Sequence, residues 1–273
     1  MNMTQMTDEA WDYLRSIRED GSSPQPPRSD LPLPCLPLYE TIAARKGPFV
    51  LAQVGQSLDG RVATPTGDAQ DVSGCDGIAH LHRCRALVDA VIVGVGTVVA
   101  DNPSLSVRSV PGRSPVRVVI DCNGRIPAGA KMLSDGGTPV LIIQADDAPL
   151  RDLDQEIVCL PRRSEGLHPQ DILDCLAERG LTTVLVEGGA NTIARFLDAD
   201  LVDRLHVSVS PIIIGSGPMG ITLAPVDRLA EARRPDVTVY NIGTDIVFDC
   251  NFRSRTRQAT SRESEHVLVT DTA

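Results

Sequence analysis

Glu187, Gly188 and Gly189 sit inside VLVEGGANTIARFL, residues 184 to 197, between an aliphatic run and a segment whose apolar residues recur at helical spacing. Glycines at a strand-to-helix turn let the backbone approach a ligand closely, and the helix's first turn offers free N–H groups and partial positive charge to a phosphate. The pattern is not the GxGxxG dinucleotide fingerprint, and such turns also serve as plain tight connections. Glu187 adds a carboxylate at the C-terminal end of a central strand, where α/β sheets place their ligands; its simpler role is a surface carboxylate that caps the turn. A second constellation, IVGVGTVVADNPSLSVR at residues 92 to 108, leaves a strand through Gly94 and Gly96, passes Thr97, and meets Asp101-Asn102-Pro103 before Arg108. Taken alone it reads as a glycine-rich loop with a capped turn. The third, GQSLDGRVA at residues 55 to 63, holds Ser57, Asp59 and Arg61 around Gly60, and either lines a polar cleft or makes a hairpin-like turn.

These residues need a frame. Apolar runs of strand length, rich in Val and Ile and bounded by Gly, Pro or Asp, recur as FVLAQV, ALVDAVIVGV, VRVVID, PVLIIQ, QEIVCL, TTVLVEGG, RLHVSVSPIII, VTVYNI and DIVFDC. Between them, helical segments are expected at 77 to 88, at 169 to 179 with Pro169 in the first turn, and at 190 to 198. Strands interleaved with helices imply an α/β fold with a largely parallel sheet flanked by helices. Its last two strands, 237 to 242 and 245 to 250, lie so close in sequence that they read as an antiparallel hairpin. Residues 7 to 18 form a short helix capped by Thr7, and a proline-rich stretch follows it. Residues 1 to 45 are thus an extension to a domain at 46 to 252, and the polar residues 253 to 273 are expected to be disordered.

Aromatics are only 3% of the chain, so the core must be aliphatic. A formal net charge of −10 argues against nucleic acid, whose backbone is bound by clustered Lys and Arg, but leaves room for a phosphorylated small ligand in a local basic pocket. The seven cysteines include no CxxC pair and read as free thiols of a reducing cytoplasm. His80 and His82 look like a metal pair, but two residues along a helix sends them roughly 200° apart, and no metal is expected. No apolar run approaches the ~18 residues that span a bilayer, and the N-terminus lacks a signal pattern, so no membrane is implied and a cytoplasmic location is expected.

Taken in order, SLDGRVA after the first strand, VGVGTVVADNPSLSVR, the strand reaching Asp121, VEGG and VSPIIIG resemble the reductase domain of riboflavin biosynthesis, over residues 46 to 252. That family has a dihydrofolate-reductase-like architecture. The chain lacks a deaminase HxE and PCxxC signature and reads as a stand-alone reductase. The resemblance implies NADPH-dependent reduction of 5-amino-6-(5-phosphoribosylamino)uracil, or its undeaminated diaminopyrimidine counterpart, to the ribitylamino product. It implies contacts with the dinucleotide from Gly55, Thr97, Asp101, Gly188 and the run Gly189, Ala190, Asn191, Thr192 onward to Arg195. Arg85, Leu105, Arg108 and Glu187 fall at substrate positions, where two arginines would clamp the ribose phosphate. Homodimers are common in the family, and Leu31 to Leu38 offers apolar residues either to a partner or to the chain's own domain. Many bacterial members carry Ser-x-Trp where this chain has Ala69 and Asp71, and a lysine where it has Gln53.

Hydride transfer asks the protein mainly for alignment and exclusion of water, with a proton donor for ring opening. Asp59 or Glu187 is the expected proton carrier, Gln53 at most orients, and Arg125 either meets the 2′-phosphate of NADPH or is a surface residue. A dihydrofolate or other pterin reductase, and a non-catalytic NADPH-binding protein, remain as alternatives.

Overall fold

The computed structural model describes residues 6–20, 34–149 and 151–252. In chain order the elements are α1 (Asp8–Asp20), α2 (Leu36–Ala43), β1 (Phe49–Ser57), α3 (Cys75–Ala86), β2 (Ala90–Gly94), α4 (Val95–Asp101), β3 (Val116–Ile120), β4 (Val140–Ala145) and β5 (Glu156–Leu160). They continue with β6 (Arg162–Arg163), β7 (Gly166–Leu167), α5 (Pro169–Ala177), β8 (Thr183–Glu187), α6 (Ala190–Asp198), β9 (Arg204–Ser210), β10 (Asp236–Asn241) and β11 (Ile246–Asn251). Nine strands make one sheet in the order β10-β11-β9-β1-β8-β2-β3-β4-β5, while β6 and β7 form a separate two-stranded ribbon.

The central strands are continuous aliphatic runs because both of their faces are covered. Helices α1 to α4 pack on one face, where Trp11, Leu38, Ile42, Cys84 and Val98 meet Phe49, Leu51, Val91 and Leu185. Helices α5 and α6 pack on the other, where Ile172, Leu176, Ile193 and Phe196 meet Val50, Ala52, Ile92 and Val118. All strand pairs from β9 to β5 are parallel, and β11 closes the sheet by running antiparallel to β9 and β10, as the hairpin reading anticipates. The carboxyl ends of β1, β8, β2 and β3 therefore open onto one edge, which carries all three constellations.

Two segments differ from expectation. Residues 95–101, anticipated as loop, are helix α4: Gly94 enters it in extended conformation, and Asn102 at φ +44° ends it with a left-handed turn. That is the αL ending which Asn tolerates, so the turn former closes a helix rather than decorating a loop. Within the proline-rich stretch, LPLYETIA forms α2, with Pro37 in the first turn, where its missing N–H removes no helical bond. Of the run 31 to 38, Cys35 and Leu38 are buried against the chain's own core rather than offered to a partner, and 31–33 lie outside the described residues. Thr7 caps α1 as expected, its Oγ1 accepting from the Ala10 N–H at 3.2 Å. Trp11 then ties α1 down by donating its ring N–H to Pro111 O at 2.8 Å. Residues 1–5 and 21–33 and the expected disordered tail at 253–273 fall outside the described residues. No described helix is long and apolar enough to cross a membrane.

Candidate active site

Strand β8 lies between β1 and β2, and its last residue, Glu187, is in register with Gln53 of β1. Glu187 is 5% exposed, and its two oxygens accept from Arg85 Nε at 2.7 Å and Nη2 at 2.6 Å. Arg85 stands at the end of α3, above the same edge. Burial alone would lower the Arg85 pKa, but the Glu187 carboxylate outweighs it and the pKa is raised. Each ion cancels the other's desolvation, which neither could bear alone.

The remaining Arg85 nitrogen donates to Ser106 O at 3.1 Å and so fixes the loop that follows α4. In that loop Leu105 takes φ +56° with its side chain buried, a left-handed conformation that costs a leucine energy and is held by its surroundings. The Arg108 N–H donates to His82 Nδ1 at 3.1 Å. Burial first, then the charges of Arg85 and Arg108, push the His82 pKa down to about 4, so at neutral pH the ring is uncharged and able to accept. His80 and His82 do point apart: His82 serves this loop, whereas His80 faces Tyr39.

Beside this pair lies a cradle made by two strand-to-helix turns. Gly188 and Gly189 have φ +59° and +68°. A Cβ on Gly189 would lie 3.1 Å from Thr97 Oγ1, and one on Gly94 would lie 2.6 Å from Thr192 Oγ1. Each threonine fills the space left by the other turn's glycine, so the first turns of α4 and α6 interlock. Ala190 and Asn191, in the first turn of α6, keep N–H groups that no helical carbonyl can accept. Gly55 is similarly close-packed, with Ser73 Oγ only 2.6 Å from where its Cβ would be. Asp101 is exposed at the far end of α4.

Two expectations change. Arg85 is engaged by Glu187 and buried while Arg108 is exposed, so the two arginines do not form a matched phosphate clamp. Arg108 alone offers its guanidinium, with no ion pair among the described residues. Asp59 does not join Glu187. It is the brace of a turn in which it accepts from Ser57 Oγ at 2.6 Å and from the N–H groups of Ile214 at 3.0 Å and Gly215 at 2.7 Å. The Ser57 bond chiefly, then these backbone donors, lower its pKa to about 2, which leaves no proton to give at neutral pH.

Sequence reasoning overlooked a polar stripe. His206, Ser208 and Ser210 alternate with apolar residues along β9, the pattern of a half-solvated strand, yet all three are buried. Asp245 accepts from Ser208 Oγ at 3.2 Å, Ser210 Oγ at 2.7 Å and the Gly74 N–H at 3.0 Å, anchoring the start of α3. A separate space of about 750 Å³ lies at the opposite, amino edge among Val116, Arg117 and Val140, and none of the candidate residues lines it.

The model of the RibD C-terminal domain matches residues 48–248, about three quarters of the chain and the whole stretch bearing these residues. The chain belongs to the RibD C-terminal domain family. It is 32% identical over 213 residues to the 2,5-diamino-6-ribosylamino-4(3H)-pyrimidinone 5′-phosphate reductase of Methanothermobacter thermautotrophicus, covering 74% of this chain and 97% of that one. It is 36% identical over 183 residues to the riboflavin biosynthesis protein RibD of Bacillus amyloliquefaciens, covering 65% of this chain and 48% of that one, so it spans about half of that relative's length. Among solved structures, the deaminase/5-amino-6-(5-phosphoribosylamino)uracil reductase of Thermotoga maritima superposes with a TM-score of 0.66 at 26% identity, covering 79% of this chain and 59% of that one. Against the RibD pattern quoted above, Asp71 is exposed at φ +64°, so its place holds neither a ring nor a buried contact.

The Asp59 brace has a pH signature. Its folded pKa of about 2 lies below the ordinary 3.8, so its contribution to stability is complete above about pH 4 and fades as pH falls through 2. Thermal unfolding of wild type and Asp59→Asn should therefore differ at pH 5 and converge as pH is lowered towards 2; a constant difference would show that the charge is not what holds this turn.

Proposed function

We propose that this chain reduces a phosphoribosylamino-pyrimidine of riboflavin biosynthesis to its ribitylamino form, using NADPH. The observation that carries the reading is the juxtaposition, on adjacent strands of one sheet edge, of the interlocked glycine turns with the Arg85–Glu187 pair, Gln53 and the loop bearing Arg108. The names of the relatives above support it.

The cradle fits a dinucleotide. Gly188 and Gly189 keep side chains away from the N-terminal turn of α6, where Ala190 and Asn191 present N–H groups to a pyrophosphate, and Thr97 and Thr192 offer hydroxyls. Gly55 stands at the same edge, and Asp101, at the far end of α4, is the outermost of the assigned cofactor contacts. The bound cofactor would supply the hydride. Glu187, with both oxygens already fixed by Arg85, has lone pairs left to accept from sugar hydroxyls and so to orient the opened ribose. Leu105 gives the loop its apolar contact, and Arg108 faces the phosphate. Since Asp59 is ionised and Glu187 is an acceptor, the proton for ring opening reaches the sugar from water or a substrate hydroxyl held by Glu187, not from Asp59.

Preference for NADPH is assigned to Arg125, past the end of β3. At this end Arg151 is engaged by Gly124 O and Ile126 O, Arg162 by Asp147 and Arg163 by Asp171, whereas the exposed Arg125 side chain has no partner among the described residues. A homodimer is also proposed. Edge strand β10 leaves Val237 and Val239 about half exposed, with Phe248 beside them on β11, and an open apolar edge of this kind invites pairing.

NADPH oxidation, followed at its nicotinamide absorbance with each of the two pyrimidine phosphates supplied separately, should show turnover on one of them; silence on both with NADPH binding intact overturns the proposal. Arg125→Ala should raise KM for NADPH by about 10- to 100-fold, the loss of a charged hydrogen bond, and leave NADH unaffected. In sedimentation, Val239→Lys should convert a dimer to a monomer, and a wild-type monomer would refute that assignment.

A further inference from the structure

The polar stripe of β9 ends in an arrangement that the reductase reading does not use. His80 and Cys84, one turn apart on α3, meet His206 of β9, and all three are sealed from solvent at 0% exposure. Cys84 Sγ lies 3.7 Å from His80 Nε2 and 3.8 Å from His206 Nδ1, and the three atoms all lie within 4.8 Å of one another. Zinc bonds of about 2.3 Å to sulfur and 2.0 to 2.1 Å to nitrogen put S and N roughly 3.6 Å apart in a tetrahedral site, so the sulfur-nitrogen spacing is already that of a ligand set.

The outer atoms of both imidazoles are arranged as metal-bound histidines require. His80 Nδ1 lies 2.8 Å from Tyr39 Oη. His206 Nε2 lies 3.5 Å from Asp249 Oδ1, and neither atom has a hydrogen-bond partner among the described residues although both are buried. A carboxylate behind a histidine fixes its tautomer and strengthens it as a ligand. Asp249 is itself held by Arg204 at 2.7 Å. A thiol and two imidazoles, all fully buried, thus converge on one point of the core at sulfur-nitrogen distances of 3.7 and 3.8 Å, where no water competes for them.

We propose that His80 Nε2, Cys84 Sγ and His206 Nδ1 bind one zinc ion, with the fourth position taken by a small exogenous ligand such as water. Binding releases the thiol proton, because the ligand is the thiolate. The ion would pin α3 to β9 and, since Arg85 follows Cys84 directly, would set the height of Arg85 above Glu187. Its role is structural.

The full-length protein, purified without chelator, should carry one equivalent of zinc by elemental mass spectrometry. After zinc removal, cobalt(II) should restore one equivalent with a thiolate-to-cobalt charge-transfer band and the visible bands of a tetrahedral site. Zinc should also raise Tm relative to chelator. Cys84→Ser should lose the band and the zinc-dependent rise in Tm, whereas Cys75→Ser and Cys159→Ser, which alter exposed thiols, should keep both. Absence of stoichiometric zinc and of the cobalt band in the wild type overturns the proposal whether or not Cys84→Ser folds, as does a band that disappears with Cys75 or Cys159.

Discussion

A buried arginine can be kept in this interior only because a carboxylate meets it with both oxygens, and the geometry of the candidate site follows from that constraint. The Arg85–Glu187 fork joins the end of α3 to the end of β8, and the third guanidinium nitrogen reaches Ser106 in the loop beyond α4. Three elements distant in sequence are thereby held at fixed separations by one planar group whose donors cannot rearrange independently. The pair is not a store of stability, since desolvation consumes much of its Coulombic gain. What it provides is position: it orients Glu187 towards the open edge beside Gln53 and holds Leu105 in a backbone conformation that the residue would not choose in isolation.

The glycine turns obey a second constraint, steric rather than electrostatic. Parallel neighbours in the sheet bring the starts of α4 and α6 close together, and the mutual insertion of Thr97 and Thr192 leaves no room for side chains at Gly94 and Gly189. The edge that results is lined by backbone N–H groups and hydroxyls, which suits a polyanion on a chain whose net charge is −10. Most arginines near the edge are engaged by carboxylates or carbonyls, whereas Arg108 and Arg125 are exposed and have no ion pair among the described residues.

Much of this was legible in the residues. Aliphatic runs with Gly, Pro or Asp boundaries located the strands of the sheet, and the short connection, four residues between Asn241 and Ile246, marked the terminal hairpin. Helix α4 escaped because its seven residues contain a glycine and four β-branched side chains, weak helix formers that only packing against the sheet holds in place. Helix α2 escaped because prolines mask it, although Pro37 occupies the one turn that tolerates proline. The stripe of His206, Ser208 and Ser210 has the alternation of a half-wetted strand, and nothing local reveals that β11 and α3 cover it.

The sequence by itself determined the class of fold, the alternation of strands and helices and the glycine turns, because periodicity and backbone freedom are local properties. It also carried the family pattern on which the substrate and cofactor expectations rest. Only the tertiary structure decided which charged groups are free. That Arg85 belongs to Glu187, that Asp59 is a brace, and that His80 meets Cys84 and His206 are consequences of strand order, which brings residues up to 156 positions apart into contact. A hydrogen bond or a desolvated charge depends on that distance alone, and no local pattern in the chain encodes it.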